Sequence, residues 1–301
     1  MRHDAGLTLV EILVAMLLVL AVISASTAFV TRGRAAHRTG ESLARLEESL
    51  DAAFTMIADE IRLAGYVGLA PPGTPVDGSS ALGAAERADL AVAGACGPSL
   101  ALDLATPVSA ADAAYAAVAG IPLGCRASPD GRAATVADTL VVRHAAVEPS
   151  PADDGRLQLE TNLRAARLAA DGSATLGAEA RRHDLDVSVF YVSSDSTGRR
   201  DWPSLRRKRL VGGTRPAFQD EELVSGIADL QVEVGLDDPA DPDASVDRWV
   251  RPGEPTAGGV TRALRIELEA RSDILERDQP GLSRRKRAAR VVELRNTGLW
   301  Q

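Results

Sequence analysis

The chain has 301 residues, room for one large domain or two small ones. A formal charge of −8, a pI near 5.2 and 3% aromatic residues argue against a general nucleic-acid binder and leave little for base- or sugar-stacking platforms. Its basic side chains are nearly all arginine, with Lys208 and Lys286 as the lysines, a bias of coding rather than of function.

The first element in chain order is an apolar run. Gly6, Leu7, Thr8, Leu9, Val10 and Glu11 lead into Ile12–Ile23, and the apolar character continues to Val30. Ile12 to Val30 is 19 residues. As a helix that is about 28 Å, which just spans a hydrocarbon core. A carboxylate costs on the order of 3 kcal/mol at the bilayer centre and less near its edge, so Glu11 asks for a partner. An ordinary secretory signal would place its cleavage near Ser24-Ala25-Ser26. Against that, Glu11 interrupts the passage from basic start to apolar core, and Asp4 offsets Arg2. A plain anchor, with Glu11 complementing its own helix dipole, is the other bland reading.

Gly6-Leu7-Thr8-Leu9-Val10-Glu11 followed by apolar sequence resembles the class III signal of type IV pilins and type II secretion pseudopilins. The resemblance implies cleavage by a prepilin peptidase between Gly6 and Leu7, N-methylation of Leu7, and pairing of Glu11 with a neighbouring subunit's amine. Leu7 stands where the family usually has Phe, and residues 1–6 lack the usual net positive charge.

The helical pattern continues past the apolar run. Leu43, Leu46, Leu50, Phe54, Ile57 and Ile61 recur at steps of three and four, with Arg45, Glu47, Glu48, Asp51, Asp59 and Glu60 between them. This predicts an amphipathic helix to about Ala64, ended by Gly65. Arg32 to Gly40 joins the two halves, with Gly33 and Gly40 as weak points. The stripe is too short for a coiled coil. One helix of nearly 60 residues, apolar first and amphipathic second, matches the pilin plan.

Residues 66–136 are rich in Ala, Gly and Pro and read as a long irregular connection. Cys96 and Cys125 fall within it; if this part is exported they pair, which stabilises by about 3–4 kcal/mol on the chain-entropy model. The alternative is two buried thiols, and no CxxC pair supports a zinc or redox site. Strands follow at Thr139–Ala145, Val187–Ser193, Leu205–Leu210, Leu230–Leu236, Val260–Ala270 and Ala289–Arg295. Leu264, Ile266 and Leu268 alternate with Arg265, Glu267 and Glu269, as in a sheet with one wet face. Residues 237–255 read as an Asp/Pro/Gly loop. The expected class is α+β, a long N-terminal helix packed on an antiparallel sheet.

Several blocks resemble the PilW group of minor pilins: Ala44–Glu48, Asp59–Gly68, Asp138–Arg143, Glu222–Val224 through Asp229–Val232, Ala263–Ile266 through Arg271-Ser272, and Leu294-Arg295-Asn296. Members often carry a cysteine soon after the Gly-Tyr block, where this chain has Leu69. The resemblance implies a leader over 1–6, a membrane and filament-core helix over 7–30, its amphipathic half over 31–65, and a β-rich periplasmic domain over 66–301. It implies a non-enzymatic minor pilin that helps initiate or cap a type IV pilus. Its partners would be other minor pilins, the major pilin, the peptidase, the inner membrane before assembly, and a tip adhesin. A J-type pseudopilin of type II secretion and a membrane-anchored periplasmic sensor or enzyme are the alternatives.

Little in the chain points to catalysis. His3, His37, His144 and His183 lack metal-ligand spacing, and no nucleophile elbow, phosphate loop or H-E-x-x-H is present. Asp237, Asp238, Asp241, Asp243 and Asp247 offer calcium oxygens, yet Pro239 and Pro242 break an EF-hand spacing, so a solvated acidic turn is expected. Arg206–Arg209 and Arg284–Arg287 are basic clusters, read as charged strand ends and loops rather than as phosphate or DNA sites. No cofactor, metal or catalytic residue is expected.

Overall fold

The computed structural model describes residues 9–84, 92–93, 96, 99–128, 132–153, 155–170, 176–238, 240, 243, 245–256, 258–275 and 283–296. Gly6 and Leu7, the expected processing pair, lie outside the described residues. One helix, α1 (Leu9–Leu63), precedes all the strands. The short strands β1 (Val76–Asp77), β2 (Val108–Ala111), β3 (Ala116–Val118) and β4 (Ile121–Pro122) lie in the irregular connection. Then come β5 (Thr139–Pro149), β6 (Gln158–Thr161), β7 (Ala166–Ala169), β8 (Arg181–Ser193), β9 (Ser204–Val211) and β10 (Ala217–Ser225). The last four are β11 (Ile227–Asp237), β12 (Arg248–Val250), β13 (Val260–Leu275) and β14 (Ser283–Glu293). The class is α+β with mostly antiparallel sheets, as the pattern predicts.

Two compact units divide at Arg45 and Leu46, and α1 contributes to both. In the first unit the helix is long and apolar enough to cross a membrane, and none of its apolar window is buried. The hydroxyls in that stretch are satisfied locally. Ser24 Oγ donates to Leu20 O at 2.5 Å and Thr27 Oγ1 to Ile23 O at 2.8 Å, so neither needs water. Gly33 and Gly40, expected as weak points, lie within unbroken helix.

In the second unit the helix presents Leu46, Leu50, Ala53, Phe54, Ile57 and Ile61 to the inner faces of two sheets. Leu43, expected to begin this stripe, belongs to the first unit and is 40% exposed. The first sheet runs β1-β7-β6-β8-β5-β2, with β9 on β8 and β10 on β9. The 13-residue β8 pairs with β5 between His183 and Phe190 on one side; on the other its first half meets β6 and its second half β9. The second sheet runs β12-β11-β13-β14. Leu140, Val142, Phe190, Val192, Leu230, Val232, Leu264 and Ile266 meet the helix.

The first sheet is buried on both faces. Val141, Leu159, Val187 and Val189 pack away from the helix against Leu100, Leu102, Leu104 and Leu123 of the irregular connection. That second layer explains the near-continuous apolar run Leu140-Val141-Val142, where alternation would mark a half-wet strand. The disulfide Cys96–Cys125, bridging 29 residues, belongs to the same layer.

Two expectations need correction. The 237–255 segment is not all loop, because β12 pairs there with β11 in the register Val234↔Val250. Arg284–Arg287 lies within β14, not at a strand end or in a loop, so β14 starts six residues before the expected Ala289. Its charges are carried by cross-strand partners: Arg285 and Arg287 both reach Glu269, at 2.8 and 2.6 Å.

Candidate functional site

Three of the blocks that carry the family resemblance, Asp59–Gly68, Asp138–Arg143 and Leu294–Asn296, meet at the end of α1. A helix leaves its last carbonyls without intrahelical donors. Here Asn296 Nδ2 donates to Leu63 O at 3.4 Å and Ala64 O at 3.1 Å. Gly65 then takes φ 76°, the left-handed turn that suits glycine after a helix. Its amide donates to Arg143 O at 3.0 Å, and Ala145 N donates back to Tyr66 O at 2.6 Å. The Gly-Tyr block is thereby stitched to β5 immediately after the helix stops.

One turn before that end stands Glu60. Its carboxylate accepts from His144 Nε2 at 3.1 Å, Ser188 Oγ at 3.0 Å and Arg207 Nη1 at 3.0 Å. His144 Nδ1 lies 2.8 Å from Ala145 O, so both ring nitrogens face oxygen acceptors, the arrangement of an imidazolium. Burial pushes the Glu60 carboxyl up, but the bond and charge of His144, the charge of Arg207 and the Ser188 hydroxyl bring it below its ordinary value. Burial pushes His144 down, and the Glu60 bond, the Ala145 carbonyl and the charges of Glu60 and Asp186 raise it above its ordinary value. The pair ties the helix to β5, β8 and β9 at one point.

Asp138 joins the two sheets. Its two carboxylate oxygens accept from Ala113 N and Val232 N, each at 2.8 Å, and its own amide donates to Leu230 O at 2.8 Å. Burial pushes the carboxyl up to about 6 against the two amides that pull it down. Asp138→Asn keeps the shape but turns an NH2 toward one backbone N–H. We expect a loss of about 1–3 kcal/mol in urea unfolding of the protein; an unchanged midpoint would show that the bridge carries no stability.

Arg143, further along β5, is fully buried. Its Nε donates to Leu100 O and its Nη1 to Thr106 O, both at 2.7 Å, which fastens the stapled connection to β5. Burial lowers its pKa to about 10, partly offset by Asp103, so it stays charged at neutral pH.

The other expected site residues separate. Glu11 stands in the first turn of α1. His144 and His183 are structural: both are buried, and His183 Nδ1 faces Ala146 O at 2.8 Å. In the basic run of β9, Arg206 and Lys208 pair with Asp220 of β10, Arg207 with Glu60 and Glu221, and Arg209 with Asp186. Those arginines hold strands together rather than facing a phosphate.

Asp237 of the acidic loop pairs with Arg262 at 2.6 Å. Among the described residues, no three His, Cys, Asp or Glu side chains gather as a metal site. A small cleft of about 160 Å³ lies between Arg156, Asp184, Asp186 and Arg209, and its charges are already matched as Arg156–Asp184 and Arg209–Asp186. Glu60, Asp138, Arg143 and Asn296 stand inside the quoted blocks, yet the sequence gives no sign of their roles.

Comparison with known families bears on both ends of this plan. The family model described as type IV pilus-assembly protein W matches residues 189–286, from the second half of β8 into β14. The prokaryotic N-terminal methylation motif matches residues 1–27. No curated protein and no solved structure matches the chain. With one match on its apolar helix and the other on its sheets, the chain is similar to type IV pilin-like proteins of pilus assembly and to the assembly protein W family.

Proposed function

We propose that this chain is a minor pilin that helps start or cap the pilus. It is held in the inner membrane by the first part of α1, with its globular unit in the periplasm, until it enters a complex of pilin-like subunits. The joint match to the methylation motif and the W family on a chain with one continuous leading helix carries this reading. The W match favours a pilus over a secretion system. The work is structural. Lipid tails are as apolar as Leu, so helix association must come from packing and from the pairing of Glu11.

In this reading a peptidase cuts between Gly6 and Leu7, and the Glu11 carboxylate then meets the Leu7 amine of a neighbour. Co-expression with a prepilin peptidase should shorten the chain by the leader and leave an N-methylated Leu7, read by mass spectrometry. Gly6→Val should abolish the cut, because the peptidase must approach a backbone without a side chain. Glu11→Ala should still be cut but be poorly recovered in sheared pili, since the remaining partner would be buried uncompensated at a cost of about 3–5 kcal/mol. Cleavage near Ser26 in the wild type would sink the reading.

A further inference from the structure

We propose that Arg32 and Arg34 bind the phosphates of anionic lipid headgroups where α1 leaves the membrane. The proposal deepens the membrane-anchor reading above and rests on it. In sequence, residues 31–40 hold three arginines and no acid, within a chain of net charge −8. Arg32 and Arg34 are exposed on the helix, and neither joins an ion pair or hydrogen bond with a described residue. The next arginine along, Arg45, is matched by Glu41 at 2.7 Å.

Position supports the assignment. From Glu11 to Arg32 is 21 residues of helix, about 32 Å, so a carboxylate near one edge of the hydrocarbon sets these guanidiniums at the other. Guanidinium is the planar donor that matches phosphate oxygens.

The topology sharpens the point. The Cys96–Cys125 bond belongs to an oxidising compartment, which puts the part of the chain after α1 outside the cytoplasm. Basic residues flanking a span favour the cytoplasmic side, and here residues 31–40 carry three arginines against one in residues 1–11. The arginines therefore stand on the side where that rule disfavours them. Contact with an anionic leaflet surface offsets the conflict once the helix is in place, because each basic side chain gains from such a surface.

The test uses the full chain reconstituted in phosphatidylcholine vesicles carrying spin-labelled phosphatidylglycerol or spin-labelled phosphatidylcholine. The wild type should immobilise the glycerol lipid several-fold more than the choline lipid, and high salt should weaken that preference. Arg32→Gln/Arg34→Gln should bring the ratio close to one, and Arg32→Lys/Arg34→Lys should keep part of it. Excess inorganic phosphate should leave the wild-type preference intact. Displacement by phosphate would mean a free-anion site and would overturn the lipid assignment. A wild type without preference, or a glutamine variant that keeps it, also overturns it, and arginines that serve a neighbouring subunit instead would give that result. Extraction of the wild type from the vesicles by alkaline carbonate would instead overturn the anchor itself.

Discussion

Glu60→Ala is expected to be the most damaging single change at the end of α1. It removes the acceptor of His144, Ser188 and Arg207 together. Breaking a buried ion pair from one side costs about 3–5 kcal/mol. The lower end applies here, because the Glu60 side chain keeps 17% exposure while His144 keeps 4%.

The pH dependence identifies the mechanism. Glu60 is held below its ordinary value of 4.5, so its contribution is full above that pH and is lost as pH falls through the depressed value. His144 is held above its ordinary value of 6.5, so its contribution is full below that pH and is lost as pH rises through the raised value. The gap in unfolding free energy between wild type and variant should therefore be widest between these two ordinary values and narrow on both sides. A gap that does not change with pH would mean that the pair is uncharged or uncoupled.

Gly68→Ala should be nearly as costly, for a steric reason. Gly68 sits at φ 87°, and a Cβ there would lie 2.6 Å from Thr161 Oγ1 and 2.9 Å from His183 Cδ2. The left-handed backbone costs an L-residue about 1–2 kcal/mol. Moving two packed side chains adds about 1–3 kcal/mol. Thr161 has little freedom to move, because its Oγ1 accepts Leu69 N at 3.1 Å. Thermal unfolding should show the loss. Thr161→Ala in the same chain should relieve the overlap at its oxygen and recover part of it. A fully stable Gly68→Ala would mean that the turn is free to take another path.

What the sequence reveals is set by how local the signal is. The helix is legible because its apolar run and its stripe each repeat over several turns. The six long strands are legible from branched and alternating residues, although all six extend beyond the expected limits at one end or both. β6 and β7 have four residues each, too few to show a period. β10 shows no strand pattern in the sequence, since Gln219-Asp220-Glu221-Glu222 interrupts its apolar residues. Its charges make sense only beside the Arg206–Lys208 run across the strand pair. The Cys96–Cys125 pairing was readable from export and cysteine count. The Glu60 cluster was not, because its partners lie 84, 128 and 147 residues away.

The Asn296 cap also bears on when the domain completes its fold. The amide that closes the helix end comes from a residue 232 positions beyond the Ala64 carbonyl it holds. Lys286 and Arg290 reach back comparable distances to Glu47 and Asp51. During synthesis α1 emerges before the strands, yet the Ala64 carbonyl must wait for a residue 232 positions later. Contacts of such long sequence separation form slowly, because the intervening loop has to close before they contribute. Until then the inner apolar stripe has only a partial sheet to cover it, and the nascent chain is open to misassembly. The end of α1 is thus made before every strand and closed by a residue that follows them all.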